Sequence, residues 1–450
     1  MTSDLKPYSE YKEIDLPWLD RIPAHWSVAK LRTILHPVNS RNSGELPLLS
    51  VTREKGVIQR DRNNKDENHN FIPEDLSNYK VVRKGQFAIN KMKAWQGSYG
   101  ISKIDGIVSP AYYVFDQKGV SSDFFHFAIR SKLYVPFFWQ ASDGIRVDQW
   151  DLSIQRMKEI PFLIPPLEEQ NAIVRYLDHI DNLIKRYICA KQKKIKLLNE
   201  QKQAIIQQVV TRGLDPTVKF KPSGIDWLED IPENWNIRRL RFLATIKTGG
   251  RDTVDRNDNG KFPFFVRSQI IERIYTFSFD GEAVLTAGDG AGVAKVFHYF
   301  NGKFDYHQRV YRFSNFKEVK GKYFFYFFSN FLKYEAFKQT AKSTVDSLRL
   351  PMLQDFPVVV PSLHEQDKLV QFIDQETANM EDLISAIKEE IRTIKEFHTR
   401  VTADVITGKL DVRALEFHLP KEATKSKTDE EELLEEEALI GVEMEPEEGE

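Results

Sequence analysis

The strongest constraint on this chain is that it repeats itself. Residues 152–215 align with 348–411 without a gap at a constant offset of 196, and 16 of the 64 positions are identical. Pro161-Phe162-Leu163-Ile164-Pro165-Pro166-Leu167-Glu168-Glu169-Gln170 returns as Pro357-Val358-Val359-Val360-Pro361-Ser362-Leu363-His364-Glu365-Gln366, and Thr211 to Asp215 returns as Thr407 to Asp411. Upstream, Trp18-Leu19-Asp20-Arg21-Ile22-Pro23-Ala24-His25-Trp26 matches Trp227-Leu228-Glu229-Asp230-Ile231-Pro232-Glu233-Asn234-Trp235, now at an offset of 209. The two halves share their ends, and the first intervening segment is 13 residues longer. Such a chain must fold as two copies of one unit. Shared ends around unlike middles suit a common scaffold with two working surfaces, although duplication without divergence would leave the same pattern.

The middles read as mixed α and β structure. Gly85 to Asn90 and Gly281 to Thr286, again 196 apart, are short, partly alternating and bounded by turn residues, which predicts strands. The aromatic runs Phe124-Phe125-His126-Phe127 and Phe324-Phe325-Tyr326-Phe327 read as core. After each middle, Pro165-Pro166 or Pro361 stops a strand and opens a helix of about 45 residues, roughly 65–70 Å long. Apolar residues recur at steps of three and four: Ile173, Leu177, Ile180, Ile184 and Tyr187, then Leu198, Ile205 and Val209. Carried forward by 196, the seam is Leu369, Ile373, Met380, Leu383, Ile387, Ile394, Phe397, Val401 and Val405, with glutamates at Glu376 and Glu390. Lys191 and Lys194 interrupt the first stripe and Glu390 the second, so opposite charges are available for pairing.

The predicted fold class is α+β: two α/β globular domains alternate with two long helices that pair as an antiparallel coiled coil, a dumbbell with pseudo-two-fold symmetry. The boundaries are 1–165 for the first globular domain, 166–212 for the first helix, 213–361 for the second domain, 362–410 for the second helix and 411–450 for a C-terminal segment. That last stretch carries most of the acidity. Residues 421–450 hold thirteen Asp or Glu against three Lys, so the formal charge of -2 conceals a body of about +8. Self-repulsion and scarce apolar residues predict a disordered tail. The body is compatible with a polyanionic partner without requiring one. A single cysteine, Cys189, excludes an internal disulfide and a thiolate cluster. With no apolar run near 18 residues and a polar N-terminus, the expected location is the cytoplasm.

Catalytic motifs fail on inspection. Around Gly260-Lys261, Asp255 and Phe262 stand where a P-loop needs Gly and Ser or Thr. Gly288-Asp289-Gly290-Ala291-Gly292 reads as a tight strand connection. Ser109-Pro110-Ala111-Tyr112 lacks the amide and second proline of the base-holding loop in amino-methyltransferases. No histidine or cysteine spacing implies a metal, and Glu168-Glu169 are explained by a helix start. No catalytic residue is assigned; an autonomous DNA-modifying enzyme using Ser109–Tyr112 and a coiled-coil protein scaffold remain the alternatives.

What the middles do contain is the kinds of side chain that a base-reading surface would need. In the first, Arg53, Lys55, Arg60, Arg62 and Asn64 cluster, followed by Lys91, Lys93, Trp95, Gln96, Ser98 and Tyr99. In the second, the comparable set is Arg251, Asn257, Asn259, Arg267, Ser268 and Gln269, then Lys295, His307, Gln308 and Arg309. Arg and Lys bond guanine, Asn and Gln bond adenine, and all can hold phosphate.

The order of variable domain, Pro-Pro-Leu-Glu-Glu-Gln helix, second variable domain and Pro-Ser-Leu-His-Glu-Gln helix resembles the specificity subunit of type I restriction-modification systems. The resemblance spans about residues 12–411. It rests on Ile160 to Gln170 and on the Trp-Leu-x-x-Ile-Pro-x-x-Trp opening of both halves; Ser362, His364 and the acidic tail depart from the pattern. It implies that each globular domain is a target-recognition domain reading one half of a bipartite, asymmetric DNA sequence, while the helices fix the unread gap and dock the methyltransferase subunits. It further implies a subunit that is non-catalytic by itself and binds no cofactor. The expected partners are double-stranded DNA, two modification subunits that methylate adenine at N6 with S-adenosylmethionine, and two restriction subunits that use ATP and Mg2+ for site-specific DNA cleavage.

Overall fold

The computed structural model describes residues 5–41, 45–60, 75–144, 150–340 and 347–415, without the side chains of 291 and 337–340. The chain divides into two units, one of residues 1–191 and 389–450 and the other of 192–388. Each unit therefore holds one mixed domain with a part of both long helices.

The repeated ends build the same framework in each unit. In the first, Tyr11–Leu16 pairs antiparallel with Leu19–Pro23, and Pro161–Ile164 with Ser27–Lys30. In the second, Phe220–Ile225 pairs with Leu228–Pro232, and Pro357–Val360 with Asn236–Arg239. The two motif tryptophans, Trp26 and Trp235, are fully buried in their respective cores.

The middles form sheets with one shared order of four antiparallel strands, to which the second unit adds a parallel neighbour. In the first unit Leu35–Val38, Tyr112–Gln117, Phe87–Asn90 and Tyr99–Ile101 lie side by side in that order. The second unit repeats it with Thr245–Thr248, Val310–Ser314, Phe279–Ala287 and Phe297–Tyr306, then adds Phe262–Phe265 and Ile271–Ile274. The strands expected at Gly85 to Asn90 and Gly281 to Thr286 are the paired third members. In the long hairpin, Gly281 faces Gly302 and both have φ +140, a conformation open to glycine. Beside it the Phe265 ring meets His298, Phe300 and Phe304 at 5.1, 5.5 and 5.2 Å. The aromatic runs lie on helices Ser122–Arg130 and Gly321–Thr340, and Phe124, Phe125, Phe324, Phe327 and Phe328 are fully buried.

The glutamine repeated in both helix motifs has a mechanical reason in this fold. Gln366 is fully buried, donates from Nε2 to the Pro361 and Glu318 carbonyls at 2.9 Å each, and accepts the Lys320 amide at 2.8 Å. Gln170 likewise donates to the Pro165 carbonyl and accepts the Ser121 amide, both at 2.8 Å. A side-chain amide, with donors and an acceptor on one planar group, is what satisfies both kinds of buried backbone atom at once. Glu169 does more than favour a helix start: it accepts from Trp26 Nε1 at 2.9 Å and from Tyr8, and lies 2.7 Å from His25 Nε2.

The long helices are Leu167–Arg212 and Leu363–Ile406. In the first unit they run antiparallel, since Asp181 meets His398 at 3.5 Å and Lys191 meets Glu390 at 2.7 Å. The charge pairing expected of Lys191 and Glu390 is thus present. In the second unit Lys202 bonds Glu381 at 2.6 Å. Ile173, Leu177, Ile180, Ile184, Leu369, Ile373, Ile387 and Val401 are buried, while Leu198, Ile205, Met380 and Ile394 are half-buried. Leu383 corrects the expected seam: it is 39% exposed, and its neighbour Ile384 is buried instead. The buried line there is Ile373, Thr377, Ile384 and Ile387, so Glu376 also gives way to Thr377. Among the described residues no helix is long and apolar enough to cross a membrane, and no group of three or more His, Cys, Asp or Glu could hold a metal ion.

Candidate nucleic-acid interface

In the first unit, strands Leu49–Thr52 and Gly56–Gln59 form a hairpin whose tip presents Arg53 and Lys55 to solvent. The tip is held from below. Arg130 donates to the carbonyls of Tyr99, Arg53 and Glu54 at 2.6, 2.9 and 2.8 Å, and Gly56 takes φ +70 to close the turn. Arg53 is braced by Glu54 at 2.8 Å, and the Arg60 amide donates to the Leu48 carbonyl. Arg62 and Asn64 lie outside the described residues.

A second group follows the strand Phe87–Asn90. Lys91 is paired with Asp151 at 2.5 Å and Lys93 is exposed. Trp95 and Gln96 sit on a 3-10 turn ended by Gly97 at φ +96, and Trp95 meets Trp150 at 5.5 Å, which meets Trp139 at 5.5 Å. Trp139 is 50% exposed. Sequence reasoning missed both Trp139 and Trp150, because distant tryptophans carry no mark of convergence. Two candidates are corrected here. Ser98 is buried and Tyr99 is fully buried with its ring 4.1 Å from Phe138; the strand Tyr99–Ile101 is buried along its whole length, and burial pushes the Tyr99 hydroxyl pKa up.

The second unit brings more of its candidates together. The loops after Thr245–Thr248, Phe262–Phe265 and Phe279–Ala287 meet the turn between Tyr306 and Val310, organised by two carboxylates. Asp289 bonds Arg267 at 3.1 Å through one oxygen and Arg309 through the other. Asp305, 1% exposed, holds Arg251 at 3.2 Å, Thr276 at 2.8 Å and Ser278 at 2.7 Å. Burial opposes ionisation of Asp289, yet Arg309 and Arg267 together hold its carboxyl below the usual range. Both arginines keep about half of their side chains in water, at 62% and 46% exposure, so further N–H donors remain for a ligand.

The remaining candidates divide between presenting and supporting roles. Gln308 is exposed, donates to Asp252 at 2.7 Å, and its own amide bonds the Arg251 carbonyl. Glycine is required at Gly249, where a Cβ would stand 2.0 Å from the Tyr306 carbonyl oxygen. Lys295 is exposed; Gln269 donates to the Lys295 carbonyl at 2.9 Å, and Ser268 to the Ile270 carbonyl at 3.2 Å. Asn257 spends its amide oxygen on the Asn259 amide within one turn. His307 is a correction: it is 3% exposed and accepts the Arg309 amide at Nδ1, and burial followed by the Arg267 charge lowers its pKa. It shapes the turn beneath Arg309.

Asp289 lies within the glycine-rich turn and Asp305 within an alternating strand; neither carboxylate was singled out, although an aspartate flanked by glycines is the available signal for the first. Beside Asp289 is an open hollow of about 400 Å3 lined by Thr253, Arg267, Ser268, Glu272, Gly290 and Gly292 among others. The arrangement presents guanidinium and amide donors at the surface, held in place by the Asp289, Asp305 and Asp252 carboxylates.

Comparison with known proteins identifies the family. The family described as type I restriction modification DNA specificity domain matches twice, over residues 25–197 and 232–393. The type I restriction enzyme MjaVIII specificity subunit of Methanocaldococcus jannaschii is 25% identical over 338 residues, 69% of this chain and 76% of that protein. The EcoDI specificity subunit of Escherichia coli is 26% identical over 180 residues, 40% of this chain and 39% of its own. A solved chain described under complex assembly and conformational transition of the type I R-M system shares the fold, with TM-score 0.62 at 17% identity over 86% of this chain and 99% of that one. With two family domains covering most of its length, the chain belongs to the DNA specificity family of type I restriction-modification systems.

Proposed function

We propose that this chain is the DNA-reading subunit of a type I restriction-modification complex, and that it performs no chemistry by itself. Each unit reads one half of a bipartite, asymmetric target in double-stranded DNA. The observation that carries this is one strand order repeated under two unlike sets of polar loop residues: Arg53, Lys55, Lys93 and Trp95 in one unit, and Arg251, Arg267, Gln308 and Arg309 in the other. Two rigid scaffolds with different donors suit two different base sequences.

The long helices set the unread gap and dock the methyltransferase subunits. Their antiparallel pairing in the first unit supports a spacer role, because a packed helix pair resists bending where a single helix would flex. The working assembly is two modification subunits and two restriction subunits in the cytoplasm. S-adenosylmethionine, ATP and Mg2+ are bound by those partners.

Mixing tests the proposal. The purified chain should transfer no methyl group, and adding its modification subunits should give adenine methylation at one bipartite sequence. Methylation by the isolated chain, or an assembled complex that methylates without a two-part target, overturns it.

A further inference from the structure

Val254 is 87% exposed, more than any other large apolar side chain among the described residues. It is the middle residue of the 3-10 turn Thr253–Asp255. That turn is clamped at both ends: the Asp252 and Asp255 carboxylates each accept the other residue's backbone amide, and Asp252 also accepts from Gln308 at 2.7 Å. Nothing in the turn gains from a valine at its apex, since the side chain buries almost no surface within the unit. A lone apolar residue on a surface is ordinary. What sets Val254 apart is its surroundings: Arg251 precedes the turn, Gln308 clamps it, and Thr253 lines the hollow shared by Arg267 and Asp289.

We propose that Val254 is a base-reading residue that packs against the 5-methyl group of a thymine in the half-site read by the second unit. The inference rests on the DNA-recognition function proposed above. Thymine carries the one methyl group displayed in the major groove of unmodified DNA, and apolar side chains recognise it by contact. Valine suits the task because its methyls are stiff at χ1 and the clamped turn leaves little freedom to lose on binding. A protein partner would need a wider apolar surface than one valine among guanidiniums and amides.

The test uses the full chain assembled with its modification subunits and the bipartite target found by methylation mapping. Each thymine of the target, on both strands, is replaced singly by uracil, which removes only the methyl group. One replacement should weaken binding by the wild-type complex about fourfold, the worth of one methyl buried against an apolar group. The Val254→Ala complex should bind the thymine duplex weaker by a similar factor and show no preference between thymine and uracil there. Because Val254 is exposed, the variant should melt with the wild type, which serves as the folding control. The inference is overturned if no thymine shows a methyl effect that depends on Val254, if the second half-site contains no thymine, or if Val254→Ala weakens assembly with the modification subunits instead. A complex that binds no bipartite duplex at all would overturn the DNA-reading function with it, so the two failures are distinguishable.

Discussion

Replacing Asp289 with asparagine separates the two jobs that arginines do on DNA. In the structure one carboxylate oxygen holds Arg267 at 3.1 Å and the other holds Arg309, so a single negative charge aims two guanidiniums. Asparagine keeps the size but removes the charge and one acceptor. The local charge rises by one, and both arginines lose their fixed direction. If the freed charge engages a phosphate, the slope of log K against log salt should steepen by about 0.9. If the two arginines read base pairs as proposed, discrimination there should fall by about 1–3 kcal/mol, the worth of a well-oriented bidentate contact. Stability should change little, because ion pairs with half-exposed arginines contribute weakly. Fluorescence anisotropy of the complex with its modification subunits, on cognate duplex and on one scrambled in the second half-site, at three salt concentrations, measures both quantities. The expected result is tighter binding to the scrambled duplex with a smaller cognate preference. An unchanged preference and slope would refute the assignment of Asp289 as the organiser of a reading pair.

Three further outcomes follow from the scaffold. Gln366→Ala removes three buried hydrogen bonds and strands their backbone partners, and should cost about 2–4 kcal/mol in denaturant unfolding; a cost under about 0.5 kcal/mol would show that the motif glutamine is not structural. His126 has its pKa lowered from 6.5 to about 4, by burial first and then by Arg130 and Lys103. Its native state disfavours the cation, so the stability it supports is present above pH 6.5 and is lost as pH falls towards 4, by about 3 kcal/mol at most; His126→Gln should narrow the difference between urea midpoints at pH 7 and pH 4.5. Arg130→Met releases the carbonyls of Tyr99, Arg53 and Glu54; hydrogen exchange at the Arg53–Gly56 tip should accelerate and recognition of the first half-site should weaken, while the second half-site is read as before.

Much of the architecture was legible in the sequence because repetition and periodicity are local signals. The prolines and the three-four spacing of Ile173, Leu177, Ile180 and Ile184 announce long helices wherever they stand. The same signals mislead where two neighbours are both apolar. At Leu383-Ile384 either residue satisfies the step, and only the tertiary structure selects Ile384 for burial. Candidate site residues were harder still. Lys93 and Gln308 present polar groups at the surface, but Ser98, Tyr99 and His307 have equally suitable chemistry and lie inside. A side chain's chemistry is written in the sequence; the face of the strand that receives it depends on what packs behind.

The sequence by itself determined that this chain is a doubled unit, that each copy carries a mixed domain and a long helix, and that the two domains hold different polar side chains. These properties depend on residue order over short distances. Tertiary structure alone decided which of those side chains act together. Asp289 gathers Arg267 from 22 residues away and Arg309 from 20, and Asp305 reaches back 54 residues to Arg251. Such contacts form only when the folded strands bring their loops to a common point, because bonds between charged groups depend on separation in space and are indifferent to separation along the chain.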